Sequence, residues 1–125
     1  MSGDWSTLVA VAESEVQHIL RALPGNLRIE AQRLPVTFER RPTRELEEDG
    51  IEPDTLGLFV GEPYADTATS GAPFPPQIIL FIENIWDAAE EDAAAYRKEI
   101  RTTFLHELGH YLGLDEIDLE ERGLD

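Results

Sequence analysis

His106-Glu107-Leu108-Gly109-His110, followed by Tyr111-Leu112-Gly113-Leu114-Asp115-Glu116, is the stretch around which the chain is arranged. Two histidines four apart on a helix share a face, with Cβ atoms about 5–6 Å apart. That spacing lets two imidazole nitrogens converge on one zinc ion at about 2.0–2.1 Å each. Glu107 follows the first of them directly and leans over the same mouth. There it can take a proton from a zinc-bound water, whose pKa the metal lowers to about 7. Two ligands, a base and an open coordination position are the parts of a hydrolytic zinc site. Two of the chain's three histidines fall in this stretch. Gly113 stands where a chain leaving a helix turns back through a left-handed residue.

The helix that carries the pair is written in the residues before it. Asp87-Ala88-Ala89-Glu90 has capping-box spacing, so a helix is expected to begin between Asp87 and Asp92 and to run to about Leu112. Ile100, Phe104, Leu105, Leu108 and Leu112 form its buried stripe, which puts both histidines on the adjoining edge. A catalytic zinc takes three protein ligands and a water, so one ligand is still missing. The chain has no cysteine, which leaves His, Asp or Glu. Glu116, three residues past the turning Gly113, is the first candidate, and Asp118 is the second. Asp115 and Glu120 follow, and Glu121 would need the end of the chain to fold back. Phenols that could assist the chemistry are Tyr64, Tyr96 and Tyr111.

Upstream, Leu8, Ala12, Val16, Ile19, Leu20 and Leu23 recur at helical steps. Ser2, Asp4 or Ser6 can cap that helix, and Pro24-Gly25 ends it. His18 lies beside its apolar stripe with no partner at ligand spacing, and reads as structural or exposed. Asn26–Leu34 fits either a short helix or a strand, and Val36–Glu39 reads as the first strand. The charged block that follows, with Pro42, Gly50 and Pro53, reads as a solvated loop with room for a helical turn. Leu56–Val60 is a short strand whose glycines, Gly57 and Gly61, suit an edge where another backbone approaches. Glu62–Gln77 carries four prolines and reads as a loop that could wall a cleft. Ile78–Ile82 is apolar on both faces, as a strand inside a sheet requires. A short terminal helix is expected over Ile117–Arg122.

The 125 residues fit a single domain over 1–125 with one core. A net charge of −16 argues against nucleic acid and leaves solubility, or a taste for basic peptides, as its use. No basic leader or membrane-length apolar run is present in the sequence, which reads as cytoplasmic with no membrane partner. Oligomeric state is not legible.

The HELGHYLGLDE segment resembles the zinc-metallopeptidase signature HExxHxxGxx followed by an acidic or histidine ligand, and the chain is similar to the small bacterial zincin-like metallopeptidases, or minimal zincins. The likeness extends to Leu56-Gly-Leu-Phe-Val-Gly61 and Pro76-Gln-Ile-Ile-Leu-Phe81, and covers roughly residues 8–124. It implies an α/β (α+β) fold, with a small mixed sheet packed on the active-site helix and short flanking helices. It also implies that a peptide substrate pairs with an edge strand above the zinc, here Leu56–Val60, with Ile78–Ile82 inside the sheet. The chain departs from the metzincins in carrying Glu116 where they have histidine, and it has no methionine after the motif. The function implied is a zinc-dependent peptidase with Glu107 as general base and His106, His110 and Glu116 on Zn2+. A zinc-holding interaction module that cleaves nothing is the alternative. A metal-dependent ribonuclease would bring a third histidine beside the motif and basic surfaces, and this chain has neither.

Overall fold

The computed structural model describes residues 2–61 and 76–113. Trp5–Ala22 forms α1, whose Asp4 cap accepts a hydrogen bond from the Thr7 amide. Leu8, Ala12, Val16, Ile19 and Leu20 bury one face of it, and His18 is exposed on the other, as expected. Pro24 has no amide proton to continue α1, and a new helix, α2 (Gly25–Gln32), starts behind it. The segment that the sequence left open between helix and strand is therefore helical, and it buries Ala31. Val36–Glu39 is β1, and the charged block holds one short helix, α3 (Arg44–Glu48), capped by Thr43. Its Glu45 and Glu47 lie in the first turn, where the helix dipole favours them.

Gly57–Val60 (β2) and Gln77–Phe81 (β3) complete a three-stranded mixed sheet in the order β1-β3-β2. β3 runs parallel to β1, with Val36 opposite Ile78, and antiparallel to β2, with Gly57 opposite Leu80. The inner position expected of the apolar run is borne out, and Ile78, Leu80 and Phe81 have no solvent exposure. Ile82 is a correction. It opens a further helix, α4 (Ile82–Ala88), whose Ile82, Ile85 and Trp86 are buried at three- and four-residue steps.

The expected capping box at Asp87–Glu90 is also corrected. Glu90 and Glu91 both take left-handed backbone (φ 55° and 58°), and Glu90 N–H bonds back to Asp87 O. A residue so turned cannot be the third position of a helix. The long helix, α5 (Ala93–Leu112), starts at the far end of the expected Asp87–Asp92 range and ends at Leu112 as expected. It is capped by Asp92, whose carboxylate accepts from the Ala95 amide at 2.8 Å. Gly113 ends it with φ 73°, the left-handed cap read from the sequence.

Two clamps hold α5 in place. Its buried Tyr96 hydroxyl donates to Leu8 O of α1 at 2.8 Å, and the Tyr96 ring meets Trp86 edge-on at 5.4 Å. Tyr96 is thus a structural tie, and the expectation that it could assist catalysis is withdrawn. Near its middle, Arg97 and Arg101 pair with the almost buried Glu15 of α1 at 3.1 and 3.5 Å. A third device fixes the approach to β2. Asn84 of α4 is buried and donates to the carbonyls of Pro53 and Thr55, while its oxygen accepts from Arg41. All of its hydrogen-bonding groups are engaged, so the chain enters β2 from a rigid anchor. Asp87 and Glu83 also face Arg41, and the hydrogen bond to Asp87 raises the guanidinium's pKa. Among the described residues no helix is long and apolar enough to cross a membrane.

Candidate metal centre

The last three turns of α5 carry the site. Tyr96, Ile100, Phe104, Leu105 and Leu108 face the core, which turns His106 and His110 outward. Leu112, expected in the buried stripe, is only half-buried, and Tyr111 takes the covered position beside it. The two imidazole rings stand 4.6 Å apart between centroids, inclined by 64°. Glu107 lies on the sheet side and is 8% exposed. One ligand atom from each of His106, Glu107 and His110 falls within 4.8 Å of the others. No other group of this kind occurs among the described residues.

The donor set suits a borderline divalent ion. It offers imidazole nitrogen and carboxylate oxygen in a chain without thiolates, which is a combination zinc accepts. His110 Nδ1 lies 3.3 Å from Glu107 Oε2, a contact that becomes an ion pair when the imidazole is protonated. The ring nitrogen left for a cation on His110 is then Nε2. Glu116 and its rivals Asp118, Asp115, Glu120 and Glu121 lie outside the described residues, as do Tyr64 and the expected terminal helix.

Strand β2 runs over this face of α5 as the outer strand, antiparallel to its neighbour. Gly57 marks the closest approach. A Cβ placed there would stand 2.6 Å from Thr103 Cγ2 and 3.4 Å from both Glu107 Cγ and Leu80 Cδ2. Two residues on, the Phe59 ring packs at 5.8 Å on Tyr111. The backbone approach read from the glycines holds at Gly61, against Pro76, whereas at Gly57 the close neighbours are side chains. Thr103 and Phe59 were not picked out by sequence reasoning. Thr103 was findable, since it precedes Glu107 by four and so shares its face.

The sequence profile of zincin-like metallopeptidases matches residues 31–124. The chain belongs to that family. Among curated proteins none matches it. The zincin-like fold follows from the same match and from the mixed sheet laid on α5, and the matched stretch takes in β1, β2, β3 and the His-Glu-His helix together. A zincin-like metallopeptidase is at this level a metal-dependent hydrolase of peptides, and among the described residues the group that could hold a metal ion is His106, Glu107 and His110.

Proposed function

We propose that this zincin-like protein is a zinc-dependent peptidase in which His106, His110 and, as third ligand, Glu116 hold the ion. Asp118, Asp115 and Glu120 are the alternatives to Glu116. The observation that carries the reading is the convergence of His106, Glu107 and His110 within 4.8 Å beneath the outer strand of a sheet. Bound zinc would supply a Lewis acid for the scissile carbonyl and lower the pKa of the attacking water to about 7. Glu107 accepts the proton of that water and passes it to the leaving amine. Its near-complete burial keeps the carboxylate on a short leash, while the exposed imidazoles leave the face open to a large substrate.

The register of β2 supports a docking mode. Phe81 N–H donates to Leu56 O, so Leu56, Leu58 and Val60 spend their main-chain groups on β3. Those of Gly57 and Phe59 point to the opposite edge, where no strand pairs with them among the described residues. An extended peptide laid along that edge meets two N–H and two C=O groups directly above the cluster. Given the net charge of −16, peptides bearing lysine or arginine are the proposed substrates.

The test is metal analysis of the purified protein joined to a peptide-library digest of wild type and Glu107→Gln. The expected result is stoichiometric zinc in both and cleavage slowed about 10²–10⁴-fold in the variant. Stoichiometric zinc with no cleavage by wild type would point instead to a zinc-binding interaction module.

A further inference from the structure

Glu107 needs a wall as well as a metal. The wall beside it is Gly57 on β2, where an added Cβ would meet Glu107 Cγ together with Thr103 Cγ2, one turn earlier on α5, and the Cδ2 tip of Leu80 on β3. None of the three has room to retreat. Leu80 has no solvent exposure, Thr103 is 8% exposed, and Gly57 is paired into the sheet opposite Leu80. Carbon atoms pack best at about 3.5–4.0 Å, so the 2.6 Å that a Cβ would find at Thr103 Cγ2 is far inside contact. The β-branched threonine on a helix has few rotamers with which to give way. A methyl group at position 57 must therefore lift β2, or push Thr103 and the neighbouring Glu107 stem.

From these contacts we infer that Gly57 and Thr103 are positioning residues: the missing side chain of one, seated on the methyl of the other, sets where the Glu107 carboxylate stands relative to His110 and to the open edge of β2. The inference rests on the peptidase reading for its catalytic consequence, but the geometry is testable without it.

The experiment uses the full chain. In metal-free protein at fixed pH, the ¹⁵N resonance of His110 Nδ1 reports its 3.3 Å contact with Glu107 Oε2. Gly57→Ala moves that resonance. Adding Thr103→Ser, which returns the volume of one methyl, moves it back. A merely structural role would lower the melting temperature and leave the resonance of the folded protein in place, and that result overturns the inference. If Gly57→Ala does not fold, Thr103→Ala serves instead: a shifted resonance supports the inference and an unmoved one overturns it.

Cobalt added as the metal probe binds the single variant with unchanged stoichiometry. On a cleaved peptide, kcat falls on the order of tenfold to a hundredfold with KM held, because misplacing a reacting group by about 1 Å has that effect. Recovery of kcat in the double variant supports the inference, and a wild-type kcat in folded Gly57→Ala overturns it. A wild type that holds zinc yet cleaves nothing refutes the peptidase reading, and the imidazole resonance still decides the geometry.

Discussion

His106 and His110 were readable because their relation is local: four residues on a helix fix it, and the buried Phe104, Leu105 and Leu108 on the same turns fix which way it faces. Each alanine substitution, His106→Ala or His110→Ala, is expected to weaken zinc binding by more than the about 10–100-fold that follows from disturbing a ligand's support. Competition with a chelator measures this directly. His18→Ala, on the exposed face of α1, leaves zinc affinity unchanged. The seat of Gly57 on Thr103 was not readable in the same way. Helical spacing announced that Thr103 shares the face of Glu107, but which strand residue lands on that face depends on sheet register. The third ligand is different again, since an acidic tail offers several carboxylates at similar reach and spacing alone does not choose among them.

At the level of elements, the sequence was most legible where periodicity is long, as in α1 and α5, and least where an apolar run changes partner midway. Ile78–Ile82 looked like one strand because every residue in it is apolar; the sheet ends at Phe81 and Ile82 turns into α4, whose Ile82, Ile85 and Trp86 spacing was present but overshadowed. The capping box at Asp87 failed for a backbone reason, two successive left-handed glutamates. Tyr96 makes the contact between α1 and α5 testable. Burial raises its pKa above 10.0. The unfolded chain therefore loses this proton at a lower pH than the folded one. The tie to Leu8 O is fully present below pH 10 and its contribution is lost as pH rises from there toward the folded value. Tyr96→Phe should cost about 0.5–1.5 kcal/mol in urea denaturation at neutral pH and flatten the decline above pH 10.

For the molecule as a whole, charge is the dominant fact. With 26 acidic against 10 basic residues, the chain as a whole attracts cations at long range. Peptides flanked by lysine or arginine should be cleaved with higher kcat/KM than their glutamate counterparts. The ratio should shrink as salt rises from about 0.01 M to about 1 M, over which the Debye length falls from about 30 Å to about 3 Å. A steady-state salt series on matched peptides checks it. The order of the sheet has a consequence of another kind. Among the described residues β1 and β2 are not neighbours in the sheet, and each pairs only with β3, the last of the three strands in sequence. On the ribosome this three-stranded sheet waits for Gln77–Phe81 to emerge, so its two outer strands cannot be joined in a nascent chain that stops before β3. The platform that holds the histidine helix is in this sense finished from the middle, only moments before the helix itself is made.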